Sequence, residues 1–165
     1  MANGVKLKTL VLGLGNSILS DDGVGLRVVQ LLGSVIRNSS EVTISEATVS
    51  GLDLLDYLVD YDRAIIIDAI QTENGKPGQV YRLEDSEFKP ARHFSNTHSV
   101  NFATALELGR QTGLRLPNKI VTLGVEVQDV TTISEKCTPL IEEQIPLLVE
   151  LVLQELKETT SACRA

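Results

Sequence analysis

Apolar and polar positions follow two periodicities along the chain, and the switches between them mark its elements. Leu7 to Leu12 (LKTLVL) is a short apolar run ending at Gly13, as expected of a central strand buried on both faces. After Asp22 the period lengthens: Val24, Val28, Leu31 and Leu32 share a helical stripe, with Gly33 placed to close the helix. Glu41 to Ala47 (EVTISEA) alternates polar and apolar residues, the pattern of an exposed or edge strand. Ser50 predicts the cap of a short helix, with Asp53 three residues on in a capping-box arrangement and Leu54, Leu55 and Leu58 inward.

Arg63 to Ile70 (RAIIIDAI) is the most strand-like stretch, because its three successive isoleucines are stiff at χ1 and pack well on a pleated surface. Thr72 to Gly78 (TENGKPG) is turn chemistry, and Gln79 to Leu83 alternates as an outer strand would. Glu84 to Thr97, polar and interrupted by Pro90, reads as a long surface loop and so as a functional candidate. A helix is expected over Ser99 to Arg110, with Val100, Phe102, Ala103 and Leu106 inward, then a last strand over Lys119 to Val125. Thr138 and Pro139 form an N-cap and first-turn pair for a final helix. Its stripe is Ile141, Ile145, Leu148, Val152 and Leu156, with Pro146 marking a kink or a restart.

Strands alternating with helices predict an α/β fold, a three-layer α/β/α sandwich with a mostly parallel twisted sheet of about five strands. The first and third strands should lie side by side. Ligands of such sheets bind outside the carboxyl ends of the strands where the winding reverses, the edge from which the Asp21-Asp22 loop and Asp68 emerge.

Composition narrows the class. The 165 residues are expected to form one domain, with a polar tail frayed from about residue 158. No window approaches a membrane span and the N-terminal MANGVKLKT lacks the apolar run of a signal peptide, so a cytoplasmic location is expected. Cys137 and Cys163, without C-x-x-C spacing, read as free thiols of a reducing compartment. A net charge of -7 with no basic stripe argues against nucleic acid as a partner. Monomer is the expected state, since no apolar helix face demands a partner.

The candidate chemistry lies around Asp22. Gly13-Leu14-Gly15 begins like a dinucleotide fingerprint, but the third glycine would fall at Ile18 and two acids precede the helix start, where a phosphate would meet like charge. The loop suits a cation. Asp22 and Asp68 offer hard oxygen ligands and His98 an imidazole, a set compatible with zinc, nickel or iron. The plainer readings are that Asp21 or Asp22 caps the following helix, that Asp68 is a turn residue, and that His98, like His93, is a solvated loop histidine. No other nucleophile competes: Ser17 and Ser20 lack a G-x-S-x-G elbow, Cys137 has no evident histidine partner, and HExxH is absent.

Taken in order, Gly13-x-Gly15-Asn16-x-Ile18-Leu19-x-Asp21-Asp22-Gly23-x-Gly25, Ile66-Ile67-Asp68-Ala69, Thr97-His98 and Gly124-Val125-Glu126 strongly resemble the hydrogenase maturation proteases. These endopeptidases trim the C-terminus of the large subunit of [NiFe] hydrogenases. The resemblance spans Leu7 to the final helix and implies that Asp22, Asp68 and His98 bind metal and carry catalysis, Asp22 standing where some members have glutamate. It implies further that the metal is nickel delivered by the large-subunit precursor, with zinc or cadmium as substitutes in vitro. Asn16, Gly51 and Glu126 are then expected to bind substrate, Gly13, Gly15, Gly23 and Gly25 to shape the loop, and Asp21 to cap the helix or orient Asp22. Whether metal or a carboxylate activates water stays open. Two rivals stand beside this reading: a metal-sensing chaperone that docks without cutting, and a small-ligand-binding domain that shares the fold alone.

Overall fold

The computed structural model describes residues 7–37, 39–85 and 97–162, with 97–101 and 159–162 described as backbone alone. Its strands are β1 (Thr9–Leu14), β2 (Val42–Ala47), β3 (Arg63–Ile70), β4 (Val80–Glu84) and β5 (Lys119–Glu126). The α-helices are α1 (Val24–Val35), α2 (Leu54–Leu58), α3 (Thr97–Gln111) and α4 (Pro139–Ala162). One sheet runs in the order β2-β1-β3-β5-β4, parallel except for β4, which pairs antiparallel with β5.

Strand pleating divides the core in two. Val11, Ile65, Ile67, Val121 and Leu123 face one side and pack with Val28 and Leu32 of α1 and Ile141, Leu148 and Val152 of α4. Leu10, Leu12, Ala64, Ile66 and Ile120 face the other and pack with Leu54 and Leu58 of α2 and Phe102 and Leu106 of α3. The result is the expected three-layer sandwich, with β1 beside β3 and the strands with polar alternation, β2 and β4, at the two edges. No helix among the described residues is long and apolar enough to cross a membrane.

Several local expectations change. β1 starts at Thr9, and the α1 stripe runs through Val24, Val28, Val29 and Leu32, leaving Leu31 47% exposed. Gly33 lies inside α1, which ends where the Ile36 amide bonds the Leu32 carbonyl. Ser50 has extended backbone but makes no side-chain cap bond to the turn it precedes, so the capping box does not form. In α3, Phe102 and Leu106 are buried and Ala103 is half-buried. α4 continues unbroken past Pro146 and runs to Ala162. Pro146 is exposed, so the Glu142 carbonyl it cannot bond is on the solvent side. The central part of the expected Glu84–Thr97 loop (residues 86–96, with Pro90 and His93) and Cys163 lie outside the described residues.

Candidate active site

The loop from β1 to α1 is shaped by close backbone approach. Gly15 has φ +141°, and a Cβ there would overlap the Asp22 carbonyl oxygen. Gly25 leaves room for the first turn of α1 to lie on the Leu14 and Ile67 carbonyls. The loop closes on Asp22 at both ends: the Asn16 amide donates to Asp22 Oδ2 at 2.8 Å, and the Asp22 amide donates to the Leu19 carbonyl at 3.0 Å. Gly15→Ala is therefore expected to destabilise the fold by about 2–3 kcal/mol and to move Asp22. Urea unfolding of the variant measures this; an unchanged midpoint would show that the loop accommodates a side chain.

Neither acid caps α1, whose N-cap is Gly23 without a side-chain bond. Asp21 is fully buried and turns the other way. Its carboxylate accepts from the amides of Gln128 (3.2 Å), Asp129 (3.0 Å) and Thr138 (2.6 Å) and from Thr138 Oγ1 (3.1 Å). It thus ties the Asp22 loop to the β5–α4 connection and to the start of α4. The sequence carries one hint of this: Thr138 and Pro139 advertise a helix start that needs an acceptor for its amides.

Asp68 sits near the carboxyl end of β3, opposite Gly124 of β5 and only 6% exposed. Burial, then the negative charge of Asp22, push its carboxyl up to about 7, against a lowering hydrogen bond from the Ala69 amide. β2 lies to one side of β1 and β3 to the other, so this crowded acid pair stands at the switch point of the sheet. Among the described residues no Lys or Arg pairs with either carboxylate, and no third acid, histidine or cysteine joins them as a metal-binding group. His98 lies in the first turn of α3; its side chain is outside the described residues.

The other expected site residues divide. Gly51, at φ +61°, opens the turn after β2 and lines a groove of about 450 Å³ with Ser50, Leu52, Asp53, Thr104 and Leu108. Asn16 fixes Asp22 through its amide, and its Oδ1 accepts from the Ile18 amide at 3.2 Å. Glu126 is 3% exposed, with Oε1 held by the Thr72 amide (2.7 Å) and Oε2 by Thr72 Oγ1 (2.9 Å). It clamps the turn after β3, a long-range pairing that no local pattern announces. Cys137 is a buried free thiol, pushed up to about 11 by burial first and by Glu142 and Asp21 after it, which removes it as a nucleophile at neutral pH.

Fold and site together define a doubly wound α/β protein with a carboxylate pair at its switch point. A family model of hydrogenase maturation proteases (HycI) matches residues 26–155, and the chain belongs to that family and is a peptidase. The hydrogenase 2 maturation protease of Escherichia coli (strain K12) is 33% identical over 156 residues, 93% of each chain. The hydrogenase expression/formation protein HupD of Bradyrhizobium diazoefficiens is 31% identical over 154 residues, 92% of this chain and 79% of HupD. Among solved structures, the hydrogenase maturating endopeptidase HybD from E. coli is similar with a TM-score of 0.79 at 29% identity, covering 93% of this chain and 94% of that one.

Proposed function

We propose that this protein is a cytoplasmic, monomeric endopeptidase that removes a C-terminal peptide from the nickel-loaded precursor of a [NiFe] hydrogenase large subunit. Asp22, Asp68 and His98 meet the precursor's nickel, and the Asp22–Asp68 pair carries the reaction. The single observation behind this is the acid pair: two close carboxylates, one nearly buried, with no protein cation beside them among the described residues. Such a pair repels itself when both members are ionised. A cation brought by the substrate relieves the repulsion and releases the proton that Asp68 holds up to about pH 7. The empty-handed site thereby discriminates for a metal-bearing substrate. A carboxylate so placed also accepts a proton from an attacking water and passes it to the leaving amine.

The test is incubation of the protein with nickel-loaded and nickel-free precursor, following the mass of the large subunit. The loaded form should be shortened at its C-terminus and the free form left whole. A loaded precursor that stays whole would overturn the protease assignment, and one that binds but stays whole would identify a binding module instead. Equal cleavage of both forms would overturn nickel recognition.

A further inference from the structure

We infer that Ile18 and Ile133 form a rigid apolar docking ridge beside the site, which seats an apolar strip of the folded precursor next to the segment to be cut. This rests on the proposed function above and adds to it the surface by which the client is held. Ile18 is 49% exposed at the tip of the loop that carries Asp22, and Ile133 is 82% exposed in the β5–α4 connection, the highest exposure of any large apolar side chain among the described residues. Single exposed apolar residues are ordinary, and those on α1, α3 and α4 call for no explanation. These two are different because backbone pairing sets them in register. The Ser134 amide donates to the Ile18 carbonyl at 3.0 Å and the Ser20 amide to the Ser134 carbonyl at 2.9 Å, a parallel bridge centred on Leu19 and Ser134. Ile18 and Ile133 therefore stand opposite each other, one step before the paired residues.

Both supports are held on several sides. The Ile18 loop is closed by the Asn16 and Asp22 amide bonds already described. Asp129 Oδ1 accepts from the amides of Thr131 (3.0 Å) and Thr132 (2.9 Å) just before Ile133, and the Thr132 hydroxyl first, then these amides, hold its carboxyl down at about 2. Ser134 Oγ donates to the Lys136 carbonyl at 2.9 Å just after it. Asp21 fastens the two segments together. A mobile loop would fold its isoleucines back against the core; here the hydrogen bonds keep them out in water, preorganised for a partner that loses little entropy on binding them. The bordering exposed charges are Glu135 and Lys136, opposite in sign, so the ridge selects by apolar contact rather than by charge. The occupant follows from place: Asp22 Oδ2 accepts from the Asn16 amide and the Asp22 amide donates to the Leu19 carbonyl, so the turn that carries Ile18 is bonded at both ends to Asp22 itself, and a protein that brings a bond to the Asp22–Asp68 pair meets this ridge.

The experiment compares wild type, the Ile18→Ser/Ile133→Ser double variant and a Val35→Ser control, Val35 being 58% exposed at the far end of α1. Each is assayed for cleavage of the nickel-loaded precursor, with thermal unfolding and sedimentation alongside. Losing two buried isoleucines from the contact raises KM about ten- to hundredfold, with kcat falling less than about twofold. The melting temperature stays within about 2 °C, and Val35→Ser behaves as wild type. KM within twofold of wild type in the double variant would overturn the ridge while the protease reading stands. So would a fall in kcat at unchanged KM, which would place the effect on Asp22 instead. A wild-type dimer that the two serines disperse would overturn it in favour of self-association. A loaded precursor left whole by wild type itself would overturn the functional reading and the ridge with it.

Discussion

Asp68→Asn is expected to abolish precursor cleavage, with kcat/KM falling at least about 10³-fold, and at the same time to make the fold more stable. The two effects have one origin. Asparagine keeps the shape of the carboxyl group but carries no charge for a cation and no proton to exchange, so the chemistry of the acid pair is lost. In the wild type, burial and the neighbouring Asp22 raise the Asp68 carboxyl from the ordinary range near 3.8 to about 7. Between those values the folded protein keeps a proton that the unfolded chain has released. The unfolded state therefore binds fewer protons, and stability falls as pH rises through this window, the loss being complete above about pH 7. The variant has no such slope. Urea unfolding should show wild type and variant nearly equal at pH 4, and the variant ahead by on the order of 2–4 kcal/mol at pH 8. Parallel pH profiles for the two proteins would contradict the burial argument, and retained cleavage would remove Asp68 from the reaction. A stabilised but inactive variant is the pattern expected where a site is held against its own electrostatic preference.

Much of this architecture is legible in the residues because the signals for it are local. The isoleucine run of β3 and the polar alternation of β2 place one strand at the centre of the sheet and the other at its edge. Alternation of strands and helices then brings Asp22 and Asp68 to one edge, and the glycines of the first loop mark close backbone approach. What a one-dimensional pattern does not carry is the partner across the fold. Asp21 and Asp22 are adjacent and chemically identical, yet one is fully buried and bound to the start of α4 while the other is held by the Asn16 amide and lays its charge on Asp68. Only the bridge between the Ile18 loop and the β5–α4 connection decides which is which. Glu126 follows the same rule: family resemblance suggests a cleft residue, and the Thr72 turn that takes both of its oxygens is 54 positions away. The misplaced α1 stripe has a simpler cause. Val29 and Leu31 both fit an apolar face, and packing against β1 and β3 chooses the one nearer the sheet.

At the amino edge of the sheet the electrostatics are reversed, and the reversal yields a second large effect. Arg63, the first residue of β3, is 2% exposed, and Glu155 of α4 is 5% exposed. Arg63 donates to Glu155 Oε2 at 2.9 Å and to the Glu155 carbonyl at 2.7 Å, while Arg82 of β4 reaches both carboxylate oxygens from its more exposed position. Here a buried acid has its cations, and the pairing joins α4 to the sheet; at the other edge two acids have none among the described residues. Glu155→Met should therefore cost about 3–5 kcal/mol, because it leaves the Arg63 guanidinium buried without its counter-charge, and that group is already held below its usual range by desolvation. Arg82 loses little, since its side chain is 39% exposed and keeps Glu84 at 2.9 Å. The double variant Arg63→Met/Glu155→Met removes both buried charges and should recover most of the loss, because the desolvation penalty disappears with them. Chemical denaturation of the two single variants and the double gives the coupling directly. Additive losses would show that the pair contributes through packing alone, whereas recovery in the double identifies the stranded charge as the source of the damage.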